Sequence, residues 1–333
     1  MKLNRPIHRF ICQLHANELP LRHLIENLDG KTSGPYGFTG PIGKQLLSCE
    51  NNAIVKFEII NAEVSNIDLN DLSTDQKYLF EIHRAITKGI CPPDLATRNL
   101  GKMAHSRWIT TANRILRLYV SSENPSKNLI TIVHYVMTVY VPMWFLVKQN
   151  SSYDIGLKHV FISIELTRRL GEEVTKVVYP VIQRNAYFAH PENILVSMIN
   201  DDDRDIRELA WRRIKIARET EKAKNVRLFK VPQLNFGAKT YVDIINWQDT
   251  KITEPPLTKQ MTNEEIDINI NRKEKILFNL YPCHTQSVER MIKEVTEAST
   301  KVYGPEAGLG FIMSRLESRR KIPSFESKAN YQV

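Results

Sequence analysis

Few side chains in this 333-residue chain have the types and spacings that chemistry needs. Cys12-x-x-His15 and Cys283-His284 are the soft ligands that a zinc site would use. Such sites draw paired ligands at metal spacing from both segments, and adjacent Cys283 and His284 break that pattern, so no metal is expected. Glu289 opens an amphipathic stretch. As a nuclease carboxylate it would need acidic partners, because two-metal phosphoryl transfer shares carboxylates between the ions. Otherwise it is a surface charge paired with Lys293 one turn on. Trp108 follows Ser106-Arg107. It is either a core aromatic or a stacking platform for a base, with Arg107 on a phosphate.

From Arg204 to Lys230 there are ten Lys/Arg and four Asp/Glu, a net charge of +6 out of +9 for the whole chain. Arg212, Arg213, Lys215 and Arg218 are the group that would lie along a phosphate backbone. A charged, solvated helix face is the plainer meaning of the same run. The glycine-rich loop Asp29 to Lys44 lacks the order of a phosphate-binding loop and no strand leads into it. Its glycines serve turns, and Lys31 and Lys44 are read as solvated.

The elements that must position these residues are organised around Leu129 to Val147, nineteen residues without Asp, Glu, Lys or Arg. That length reaches the range of a membrane span. His134, Thr131, Thr138 and the polar-tipped aromatics argue against one, and so does Pro142, which leaves a backbone carbonyl unpaired where hydrocarbon makes this costly. A helix apolar all round is expected to be the central core helix of a soluble protein, with no membrane partner.

Hydrophobic residues at 42% and charged residues at 25% are ordinary globular values. Four scattered cysteines and no secretory leader imply reduced thiols in the nucleus or cytoplasm. A helical piece is expected after Pro20, a loop over Asp29–Lys44, and the best strand at Ala53–Ile60, where β-branched residues alternate around Lys56 and Glu58. Ser73 or Thr74 caps a helix that Gly89 ends. His105 to Val120 is amphipathic, and Ile155–Leu170 and Glu172–Gln183 are further helices. Pro191 suits a first helical position, and the Asp201–Asp203 run followed by basic residues suits a helix dipole. Short strands are expected within 226–247 and a linker over Thr253–Thr262, with helices after Thr285 and Pro305.

At two places the chain resembles the hAT-type transposases. His105-Ser106-Arg107-Trp108-Ile109-Thr110-Thr111 is similar to the Arg-Trp-Asn-Ser/Thr stretch that leads into their all-helical insertion. Ser287-Val288-Glu289-Arg290 is similar to their Ser-x-Glu-Arg motif, in which the Glu is the last of three metal-binding carboxylates. The chain as a whole resembles a group of transposon-derived invertebrate proteins, through ELPLRHLIENLDGKTSGPYGFTGPIGK, STDQKYLFEIHRAI, VIQRNAYFAHPEN and CHTQSVERMIKEVTEAS. Longer members of that group carry an upstream half with the first two Asp positions. This chain begins after them, and Ile109 stands where the transposases have Asn.

The resemblance implies a mainly α fold: a helical insertion-type domain with a few short strands and the remnant of an RNase H-like α/β core. Residues 1–60 form an N-terminal segment, 61–235 the helical domain, 236–272 a linker and 273–333 a C-terminal helical segment. It further implies a catalytically incomplete transposase-derived protein, with Glu289 a relic and no cofactor unless Mg²⁺ is held by a chain completing the site in trans. DNA and a second copy of the chain are the partners it allows. The rival readings are a helical protein-interaction scaffold, a nuclease half completed in trans, and a one-span membrane protein.

Overall fold

The long apolar helix runs from Lys127 to Gln149 and is opened by Ser126, whose hydroxyl accepts the Leu129 N–H. The computed structural model describes residues 11–33, 37–64, 66–101, 103, 108–220, 231–276, 278, 280 and 283, and the statements that follow concern these. One unit covers Arg9–Cys283; the other, 1–8 with 284–333, lies outside the described residues and contains Glu289 and the helices expected after Thr285 and Pro305.

In chain order the helices are α1 (Gln13–Leu28), α2 (Pro41–Gln45), α3 (Thr74–Lys88), α4 (Pro93–Thr97), α5 (Ile109–Tyr119), α6 (Lys127–Gln149), α7 (Gly156–Arg168), α8 (Glu172–Asn185), α9 (Pro191–Ile199), α10 (Arg204–Thr220) and α11 (Asn263–Asn271). The described residues contain no sheet, only isolated bridges at Thr32–Phe38 and Leu234–Ile245. The fold is mainly α, as expected.

Helix α6 is the core. Val133, Val136, Val139, Tyr140 and Phe145 are fully buried, and α1, α3, α5 and α7 pack around it. It is not buried all round, for His134 is exposed and Thr138 half-buried. Pro142 is accommodated by a single π turn, Val136–Tyr140, in which the Val141 N–H bonds the Val136 carbonyl. That shift spends the donor that an α-helix would give Met137, and the next amide belongs to proline. The orphaned Met137 carbonyl is met by His83 Nε2 of α3 at 3.1 Å, and Asn17 Nδ2 of α1 reaches the Tyr140 carbonyl at 3.0 Å.

Several local expectations are corrected. Helix α1 starts at Gln13 and continues through Pro20, rather than beginning after it. Its first turns are held by tertiary bonds, Gln13 Nε2 to the Gly156 carbonyl and Asn17 to Tyr140, which offset the lost proline hydrogen bond. Ala53–Ile60 is extended but is not a strand, because no second strand lies beside it. It is a strap across α5 instead: Val55 N–H bonds the Val120 carbonyl, and Tyr119 Oη donates to the Glu58 carbonyl at 3.0 Å. β-Branched composition favours extended backbone, but a ladder needs a neighbour.

The strands expected within 226–247 reduce to the single bridge residues Leu234 and Ile245 and a 3₁₀ turn at Tyr241–Asp243, with 226–230 outside the described residues. The linker region ends in a true helix, α11, started by a reciprocal cap between Thr262 and Glu265. Helix α3 carries the expected Ser73 cap, completed by Gln76, and stops at Gly89 in the left-handed conformation.

Candidate functional site

The basic helix α10 begins after the acidic run, with Asp203 N–H bonded to the Asp201 carboxylate. Ala210, Trp211, Ile214 and Ala217 are its buried stripe. The basic residues flank that stripe, and the structure gives each of the four nominated ones an internal partner. Arg212 pairs with Glu208 one turn back at 2.7 Å. The Arg213 guanidinium lies 3.9 Å from the centre of the Trp247 ring, and burial lowers its affinity for a proton. Lys215 pairs with Asp267 of α11. Arg218 donates to Glu254 at 2.7 Å and to the Thr258 carbonyl at 2.6 Å, and Glu254 is itself only 9% exposed.

Arg207, which was not singled out from sequence, donates to the carbonyls of Asp201, Asp202 and Lys273. The helix thus holds the 241–275 segment to the body. Arg212 and Lys215 still reach solvent, but each carries an acidic neighbour. Arg213, Lys215 and Arg218 act as a glue to the 241–275 segment, whereas Arg212 is bonded only within its own helix.

Trp108 precedes α5 with φ 58°, the one left-handed non-glycine conformation among the described residues. Such backbone is costly for a bulky residue and persists only where packing fixes it. The ring is 5% exposed and meets Phe38 edge-on at 6.1 Å. So placed, it is a core aromatic and has no open face for a base. Arg107 and Glu289 lie outside the described residues.

Two functional-looking arginines escaped the sequence reading because they sit inside an amphipathic stripe. Arg114 is buried, ion-paired with Glu50, and donates to the carbonyls of Leu46 (2.9 Å) and Gly101 (2.7 Å). Arg117, also buried, donates to the carbonyls of Asn52 (2.7 Å) and Ala96 (3.1 Å). They staple the 46–52 segment, which leads into the strap, and the 96–101 connector onto α5. Burial raises the neighbouring Cys49 thiol despite the pull of Arg114.

The described residues of the glycine-rich loop offer no anion cradle. The Asp29 carboxylate accepts the Ile42 and Gly43 N–H groups at 2.8 and 2.7 Å, so the amides that would face a phosphate are occupied. Lys31 and Lys44 are exposed. A cavity of about 30 Å³ lies between α1, α6, α7 and α8, lined by Gln13, Asn17, Met143, His159 and Asn185. Its size suits water, and the buried Asn17 Oδ1 has no protein donor.

Cys12 and Cys283, far apart in sequence, come side by side: Gln13 N–H bonds the Cys283 carbonyl at 2.9 Å. Among the described residues, no three of His, Cys, Asp and Glu are grouped to hold a metal ion. No protein-family model matches the chain, and no match is found among curated proteins or solved structures.

Proposed function

We propose that this chain is a non-catalytic helical interaction module of transposase-type ancestry, acting in the nucleus or cytoplasm. Its helical body descends from the insertion domain, and the segment after 273 is what remains of an RNase H-like core. The observation that carries the reading is the inversion on α10. Arg207, Arg213, Lys215 and Arg218 are spent on partners outside the helix, while Leu209 and Ile216, seven residues apart on one face, are 39% and 51% exposed, with Ile268 of α11 64% exposed. Exposed apolar groups at i and i+7 suit a protein surface better than a phosphate backbone. A second copy of this chain is the partner to test first.

The test compares wild type with a Leu209→Glu/Ile216→Glu variant by sedimentation and by gel shift on duplex DNA at low salt. Self-association that the double variant loses while its circular dichroism is unchanged, with no DNA shift and no Mg²⁺-dependent nicking, supports the reading. Salt-sensitive DNA binding that disappears on Arg212→Gln/Lys215→Gln refutes it and restores the nucleic-acid reading. Nicking that Glu289→Gln abolishes establishes a nuclease completed in trans.

A further inference from the structure

We propose that Cys12 and Cys283 are a reversible thiol–disulfide pair that latches the start of α1 to the far end of the Arg9–Cys283 unit. The two residues are held together by the backbone. Gln13 N–H bonds the Cys283 carbonyl at 2.9 Å, and Cys283 N–H in turn bonds the Ser151 carbonyl. One such hydrogen bond between adjoining peptide groups leaves the two Cα atoms within about 7 Å, the span that a disulfide bridges. Both thiols are reduced here. They are close enough that charge on Cys12 opposes ionisation of Cys283.

The two sulfurs differ in a way that orders the chemistry. Cys12 is half-buried at the helix start, so a small reagent reaches it. Cys283 is fully buried, and burial pushes its thiol up to about 12, so it stays protonated until a base takes the proton. His159 Nδ1 lies 3.8 Å from its Sγ. In the tautomer with its proton on Nε2, this imidazole is that base.

The oxidant is a low-molecular-weight disulfide of the glutathione class. The Cys12 thiolate attacks one of its sulfurs, its S–S bond breaks, and one small thiol leaves. The Cys283 proton passes to His159, and the Cys283 thiolate attacks the Cys12 sulfur. The second small thiolate departs and takes the proton from His159. Two protein thiols have become one disulfide, and the external disulfide has been reduced to two thiols. Excess thiol runs the steps backwards. Cys49, buried beside Arg114, and Cys91, on the connector before α4, are not partners in it.

The full chain is purified reduced and then exposed to oxidised glutathione. Free thiols are counted by alkylation and the linkage is mapped on non-reduced peptides. The expected result is the loss of two of four alkylatable thiols, a peptide pair joining Cys12 to Cys283, and a urea midpoint that rises and returns on adding dithiothreitol. A bond closing so long a loop constrains the unfolded chain. Cys12→Ser should keep its three thiols and show no midpoint shift. His159→Gln should accumulate glutathione on Cys12, with closure slowed at least about tenfold. Four alkylatable thiols after oxidation, a lasting glutathione adduct on wild-type Cys12, or a crosslink through Cys49 or Cys91 would each overturn the proposal. Should His159→Gln not fold, the wild-type thiol count and the Cys12→Ser control still decide it.

Discussion

His83 Nε2 sits 3.1 Å from the Met137 carbonyl, an acceptor in α6 whose α-helical donor, the Val141 N–H, is spent on Val136 and whose next amide belongs to Pro142. A buried carbonyl without a donor costs about 1–3 kcal/mol. The side chain on α3 therefore permits a proline inside the core helix. Serving a carbonyl requires only the N–H of a neutral imidazole, and burial lowers the His83 pKa to about 4.

This fixes a pH dependence. An unfolded histidine titrates near 6.5, so above that value neither state is protonated and His83 contributes no slope. Between about 6.5 and 4 the unfolded chain binds a proton that the folded chain refuses, so stability falls as pH falls; below about 4 both states carry it. The loss across that window is at most about 3 kcal/mol. His83→Gln, which keeps a donor but does not titrate, should remove this part of the slope. Urea midpoints between pH 7.5 and 5 measure it, and equal slopes for the two proteins would exclude the assignment.

Arg213 over Trp247 is the second relationship with a measurable consequence. The ring is fixed by its own Nε1–H bond to the Val242 carbonyl at 2.7 Å, so the stacking geometry is prepared. A half-buried pair of this kind contributes roughly 1 kcal/mol. A double-mutant cycle of Arg213→Gln and Trp247→Leu should show coupling of about that size. Additive single effects would mean that the contact contributes nothing.

Replacing Arg212, Arg213, Lys215 and Arg218 together by Gln separates two roles for α10. If Arg213, Lys215 and Arg218 bind the 241–275 segment, the variant should lose stability, with proteolysis appearing first between Trp247 and Asn271. Most of the loss should trace to Arg218, whose departure leaves the largely buried Glu254 carboxylate with only the Thr258 hydroxyl as a donor, at a cost of up to about 3 kcal/mol. DNA affinity should not change. Unaltered stability together with a flattened salt dependence of DNA binding would reverse the interpretation.

What the sequence displayed and what it hid follow from where each determinant lies. The core position of Leu129–Val147 was readable because its whole signal is local: nineteen residues without a charge. Helix α3 was readable for the same reason, with Ser73 and Gly89 at its ends. Helix α1 was cut short because the residues that carry it past Pro20 bond to Gly156 and Tyr140, positions that no window around Pro20 contains. Ala53–Ile60 showed strand composition, but pairing belongs to two segments, and no second strand lies beside it among the described residues. Helix α11 left a signal that was passed over, the Thr262-x-x-Glu265 cap, because Ile266 and Ile270 make too narrow a stripe to suggest a helix. The charge of α10 was plain. Its meaning depended on Trp247, Glu254 and Asp267, each reached only through the fold.

The coupling between Pro142 and His83 gives the strictest check on the architecture. Removing the imidazole in His83→Ala should cost about 2–4 kcal/mol, part from the cavity and part from the abandoned Met137 carbonyl. Pro142→Ala restores an amide N–H one position beyond Val141. With the Val141 N–H on the Val136 carbonyl, that new donor faces the Met137 carbonyl in the same π register. The single Pro142→Ala change should be mild, since Met137 is already served and the proline ring is half-buried. In its presence, His83→Ala no longer strands the carbonyl, and only the cavity cost remains. The double mutant should therefore be more stable than the sum of the singles predicts, by about 1 kcal/mol. Urea denaturation of the four proteins at pH 7.5 gives the coupling directly, in a range where His83 does not titrate. A coupling of zero would show that the Met137 carbonyl does not depend on His83, and that the π turn satisfies itself by another route.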